Sequence, residues 1–179
     1  MTTDLQSYRF RGRIPRGVVP VVPRPDQESV WDYPRPPRVE AVPLRIRVVV
    51  GGVTVADTFD AIRVLETSHP PVYYIPRAAI DPGVLISATG SSFCEWKGDA
   101  SYWTIDTGTR QVERAGWSYE RPSPGFEAIR GHVAFFASKV DEAWVGEELA
   151  TAQPGGFYGG WVTSAIVGPV KGETGSGGW

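Results

Sequence analysis

Cysteine, histidine and methionine are almost missing from this chain. Among 179 residues there is one cysteine (Cys94), one methionine, and two histidines (His69 and His132). A single cysteine excludes an intrachain disulfide. One Cys and two His fall short of the usual zinc cages, which leaves only carboxylates for a hard cation. No metal site is assigned. An excess of charge is missing too: 18 Lys and Arg face 20 Asp and Glu, a net charge of −2. General nucleic-acid binders carry a strongly basic face, so nucleic acid is not an expected partner. Long apolar runs are absent, and none approaches the roughly 20 residues a membrane helix needs. Residues 1–10 are polar and do not read as a secretory signal, so a cytoplasmic location is expected, with no membrane partner. No segment sustains helical periodicity for three turns, so at most short helices are expected.

Punctuation and rings are abundant instead: 21 Gly, 16 Pro, 7 Trp, 7 Tyr and 7 Phe. Gly and Pro break helices, whereas aromatics favour strands and pockets. The expectation is an all-β fold, a compact antiparallel sandwich or barrel. Three stretches are distinguished. Residues 1–30 form a Pro-rich arm made basic by Arg9, Arg11, Arg13 and Arg16. Residues 31–150 form the β-rich domain. Residues 151–179 form a tail rich in Gly and aromatics, laid on that domain. Trp31 and Tyr33 sit in a proline-rich stretch and should cover part of the core, since exposing them forgoes about 1.5–3 kcal/mol each.

Local patterns refine this. Ile46, Val48 and Val50 alternate with Arg45 and Arg47, and Gly51-Gly52 suits a two-residue hairpin turn returning over Val53–Ala56. Further strands are expected at 61–66, 72–75, 84–88, 100–106, 111–119, 132–136 and 142–145. Ser123–Ile129 reads as a brief helix capped by Ser123, with Pro124 at its first position. Cys94–Gly98 reads as a loop or bulge.

Three dense segments could carry chemistry: Arg63–Tyr74, Cys94–Trp103 and Ala115–Glu120. Each mixes aromatic rings with one or two ionisable groups, as pockets for small polar molecules do. Cys94 is a candidate nucleophile, against the plain alternative of an inert buried thiol. Lys97 is a candidate anion binder or amine catalyst, against a solvated surface lysine. Glu66 is a candidate base or orienting carboxylate, against a structural ion pair. Tyr73 and Tyr74 face opposite sides of one strand, so at most one lines a given pocket. Trp96, Trp103, Trp117 and Tyr119 could form an aromatic cage, and Tyr102 could supply a hydroxyl. His69 and His132 read as structural. Gly90-Ser91-Ser92 is a weak phosphate-loop signal with no helix after it.

The runs RVLETSHPPVYYIP (Arg63–Pro76), CEWKGDASYW (Cys94–Trp103), AGWSYERP (Ala115–Pro122) and GHVAFF (Gly131–Phe136) resemble the bacterial family labelled domain of unknown function 427. The order and spacing of these motifs fit across nearly the whole chain. The resemblance implies a tent-like or barrel-like antiparallel fold with the motifs lining one cavity. Carried onto matching positions, it points to Glu66, Tyr73, Tyr74, Cys94, Trp96, Lys97, Tyr102, Trp117 and Tyr119. The expectation is therefore a small-molecule-binding domain with Glu66 and Lys97 as orienting charges. A transferase or hydrolase, nucleotidyltransferase-like or dependent on Cys94, is the enzyme alternative. A protein-interaction module built on arm and tail is the third. No motif identifies a cofactor, and a homo-oligomer is compatible with all three.

Overall fold

Alternation of β-branched and aromatic residues, cut every few positions by Gly or Pro, gives fifteen short strands and only single helical turns among the described residues. The computed structural model describes residues 14–179. Arg9, Arg11 and Arg13 of the basic arm lie outside the described residues. The strands are β1 (Glu28–Ser29), β2 (Arg38–Ala41), β3 (Ile46–Val50), β4 (Val53–Thr58) and β5 (Ile62–Leu65). There follow β6 (Val72–Pro76), β7 (Leu85–Cys94), β8 (Gly98–Asp106), β9 (Gln111–Ser118) and β10 (His132–Phe135). The last are β11 (Glu142–Val145), β12 (Glu148–Leu149), β13 (Thr151–Ala152), β14 (Trp161–Val162) and β15 (Ile166–Val167). The fold is all-β.

Two sheets carry the architecture. One is seven-stranded in the order β2-β5-β6-β10-β9-β8-β7, and the other four-stranded in the order β12-β11-β3-β4. They face each other as a sandwich. Ile46, Val48 and Val50 of β3 meet Ile75, Phe135 and Ile105 of the larger sheet in one apolar core. The β3–β4 hairpin turns on Gly51 and Gly52 at φ 60° and 76°, values at which a side chain would be strained.

The described end of the arm and the tail both pack onto the sheets. Trp161 is fully buried in the core between the sheets, and its indole Nε1 donates to the Phe135 carbonyl at 2.9 Å. β1 pairs in parallel with β15. A third cluster joins Val30, Trp31 and Tyr33 to Leu65, Ile166 and Val170. Within it Trp31 meets Trp179 edge to face, centroids 5.3 Å apart.

Two expectations are corrected. The strand expected at 84–88 runs on to Cys94, so Gly90-Ser91-Ser92 is not a phosphate loop. A register shift between Ala88 and Ser91 absorbs Gly90 as a bulge, and pairing with β8 continues past it. The helix expected at Ser123–Ile129 shrinks to one 3-10 turn, Glu127–Ile129, and Ser123 caps nothing. Gly125, at φ 91°, breaks the run, and the Ser123 N–H donates to the Lys97 carbonyl at 3.0 Å.

Candidate functional site

The face of the seven-stranded sheet away from the sandwich core carries the site. Register explains its shape. Tyr102 of β8 pairs with Trp117 of β9, Trp117 with Ala134 of β10, and Ala134 with Tyr74 of β6. These residues form one row across the sheet on one face, because side chains alternate with period two. The small Ala134 lies between two large rings and is fully buried beside them. Its size lets Tyr74 and Trp117 meet edge to face, centroids 6.4 Å apart. Phe136 tilts onto Trp117 at 4.4 Å.

Loops complete the enclosure. The turn from Cys94 to Lys97 joins β7 to β8 on one side. His69 and Pro70, between β5 and β6, stand on the other. The strap from Gln153 to Gly159 crosses above. A Cβ on Gly159 would collide with the Trp117 ring, so only glycine lets the strap lie this close. The cavity so formed measures about 570 Å³.

Glu66, Tyr74, Cys94, Trp96, Lys97 and Tyr102 all border this cavity, as do Trp117 and Tyr119. Tyr73 does not. It lies on the opposite face, in the sandwich core, with its ring 5.1 Å from that of Trp161. Trp103 also packs on that opposite side, and its Nε1 donates to Ser118 Oγ at 2.8 Å. Both follow from strand alternation: Tyr74 and Tyr102 point into the cavity, so their neighbours Tyr73 and Trp103 cannot.

Sequence reading passed over several cavity residues. His69, read from the sequence as structural, borders the cavity too. Its Nδ1 lies 3.0 Å from the Thr67 carbonyl, which fits a neutral ring that donates there. Burial lowers its pKa below the ordinary 6.5, against the opposing pull of Glu66. Its ring meets Tyr158 of the strap at 5.3 Å. Arg114, Lys139, Phe136 and Phe157 were missed as well. The strap's Phe157-Tyr158 pair between glycines was the available signal. Arg114 and Lys139 reach the site only through the sheet order, which the sequence does not spell out.

Charges at the cavity divide into occupied and unoccupied. Glu66 forms an ion pair with Arg35 at 3.3 Å. Lys97 is buried, and among the described residues nothing hydrogen-bonds or ion-pairs with its ammonium group. It stands 5.7 Å from the Tyr119 ring centre. Three side-chain polar atoms are buried without a partner among the described residues: the Tyr74 hydroxyl and the Trp96 Nε1, whose residues border the cavity, and the Arg77 Nε away from it. Burial pushes the Tyr74 and Tyr119 hydroxyls well above the usual tyrosine range, so both stay protonated. Cys94 is half-buried at the end of β7. No hydrogen bond links it to His69, whose Nδ1 contacts are Thr67 and Ser68. His132 binds the Arg130 carbonyl and does not border the cavity. Among the described residues no group of His, Cys, Asp and Glu is arranged to hold a metal ion. No helix among them is long and apolar enough to cross a membrane.

Fold and site thus define an all-β domain with a buried aromatic cluster on one face of its main sheet. The chain belongs to the family described as a domain of unknown function (DUF427), whose model, named NTP_transf_9, matches residues 38–146. That span runs from β2 through the end of β11. It includes the cavity floor and the Cys94–Lys97 turn but not the strap. No curated protein matches the chain.

Proposed function

We propose that this chain is a small-molecule-binding β domain and that the aromatic-walled cavity is its binding site. One observation carries the reading. Glu66, Tyr74, Cys94, Lys97, Tyr102 and Trp117 come from separate parts of the chain, yet all border one cavity of about 570 Å³. Pockets for small ligands commonly span about 300–1,000 Å³, with apolar walls and a few aimed polar groups. The Lys97 ammonium, the Glu66 carboxylate and the Tyr102 hydroxyl supply such groups.

The enzyme readings have less support. Nucleotidyl transfer draws on the family label alone, since Gly90-Ser91-Ser92 is strand and offers no phosphate cradle. A Cys94 nucleophile lacks a hydrogen-bonded base among the described residues. The interaction module also has less support, because Trp31 and Trp179 are engaged with each other.

The test is a thermal-shift panel of nucleotides, sugars, amino acids and cofactors, each with and without Mg²⁺. A ligand at about 100 times its dissociation constant should add about 2.7 kcal/mol, a shift of about 5–10 °C. Ser92, at the rim, bonds Tyr102 at 2.7 Å, so Ser92→Trp should plug the mouth and abolish the shift. A shift that survives in Ser92→Trp, Lys97→Ala and Glu66→Gln alike would place binding elsewhere and refute the reading.

A further inference from the structure

The chemistry of the cavity wall narrows what can fill it. We infer that the cavity takes a planar, conjugated anion, with its ring against the Trp117 and Phe136 wall and its acidic group turned to Lys97. This rests on the ligand-binding reading above and goes beyond it.

An aromatic cavity has two opposite uses. It can cage a cation on its ring faces, or it can stack a flat ring. Here the protein's own cations already lie over the ring faces. The Arg114 guanidinium covers Tyr102 at 4.0 Å. Lys97 Nζ lies over Tyr119 at 5.7 Å, and Lys139 Nζ over Phe136 at 5.6 Å. A cationic guest would therefore meet like charge at three of the walls.

Negative charge is scarce by comparison. Of the two bordering carboxylates, Glu66 is paired with Arg35, and Glu95 is exposed on the turn. Lys139 is anchored by the carbonyls of Glu113 and Arg114 at 3.2 and 3.1 Å, which fixes its charge beside the cavity. Lys97 has no anion among the described residues. Its ammonium is accessible at the cavity and open to an acidic group of a guest.

Hydrogen-bonding capacity points the same way. The two bordering polar atoms that are buried without partners are the Trp96 N–H and the Tyr74 O–H. An indole N–H can only donate, and a phenol at neutral pH donates readily. Both lie just beneath the cavity surface, and a small side-chain shift would turn them to a guest whose polar atoms are acceptors, such as a carboxylate, a phosphate or a ring carbonyl. Burial of Tyr74 is complete, so its hydroxyl reaches no bulk solvent.

The experiment uses three probes of matched ring and different charge: naphthoate, neutral naphthamide and naphthylmethylammonium. Titration of the full chain is followed by quenching of tryptophan fluorescence, with Trp96 and Trp117 in the wall. Naphthoate should bind at least about tenfold more tightly than naphthylmethylammonium, with naphthamide between them, and added salt should narrow the gap. Lys97→Met should collapse the preference for naphthoate over naphthamide. Trp96→Phe, which keeps a ring and removes the donor, should weaken naphthoate severalfold if Lys97→Met fails to fold. Equal affinities, or tighter binding of the ammonium probe, would overturn the anion inference and leave the cavity reading standing. If none of the three binds, both fall.

Discussion

Replacing Trp161 measures whether the C-terminal segment is part of the core or a cover laid upon it. Trp161 is fully buried between the sheets. Its ring lies 5.1 Å from Tyr73, and its indole N–H holds the Phe135 carbonyl at 2.9 Å. Its own backbone N–H donates to the Pro71 carbonyl at 2.9 Å, just before β6. Truncating a buried tryptophan to alanine costs about 3–5 kcal/mol. For a domain of this size each kcal/mol moves the melting temperature about 2–4 °C, so Trp161→Ala should melt about 6–20 °C lower. Trp161→Phe keeps most of the ring but leaves the Phe135 carbonyl without its indole donor. That loss alone should cost about 1–3 kcal/mol. Melting followed by far-ultraviolet circular dichroism, with urea titration as a second measure, gives both numbers. The order wild type, Phe, Ala is expected, with one cooperative transition in each. If Trp161→Ala melts within about 2 °C of wild type, the segment is a cover and the reasoning fails.

Two further outcomes follow from the same coordinates. His69 has a pKa lowered by burial, so the unfolded chain binds its proton more readily than the folded one. Stability should therefore be full above about pH 6.5 and fall on acidification below it, and His69→Gln should flatten that slope. The lowered carboxylates Glu28 and Glu120 act only below their ordinary 4.5, outside this window. Melting temperatures between pH 5 and 7.5 decide the matter, and an unchanged slope in the variant would refute it. Tyr74→Phe removes a buried hydroxyl that has no partner among the described residues, so it should raise stability by about 1–3 kcal/mol. A clear fall in melting temperature would mean that the hydroxyl is bonded after all.

Period-two patterning made the strands legible and with them the split between Tyr73 and Tyr74. It was clearest where β-branched residues alternate with arginine, as at Ile46–Val50. It misled where composition imitates a loop. Thr89, Gly90, Ser91 and Ser92 read as loop, yet they continue an edge strand because a bulge lets β8 keep pairing. Ser123-Pro124 read as a helix start, but helix signals count only when enough residues follow, and Gly125 interrupts them. The site was half visible. Its floor and turn lie in dense motifs, whereas Arg114, Lys139 and His69 arrive through sheet order and loop closure. No sequence spacing reveals that β10 lies between β6 and β9, and only that placement sets Ala134 between Tyr74 and Trp117.

That row across the larger sheet joins fold to site. The two faces of the sheet meet different partners. On one, the four-stranded sheet closes the interface with regular rows of Ile and Val, and Trp161 fills what is left. On the other, only turns and a glycine-rich strap are available, and they cannot interdigitate as a second sheet would. A residue larger than alanine at position 134 would push the two rings apart, because Ala134 is fully buried beside them. Above the rings the cavity stays open, and two polar atoms there, the Tyr74 hydroxyl and the Trp96 Nε1, are unpartnered among the described residues, each costing about 1–3 kcal/mol. A fold can carry such costs on one face because the other is tightly packed. The sandwich core stabilises the sheet, and the opposite face remains hollow enough to receive a guest.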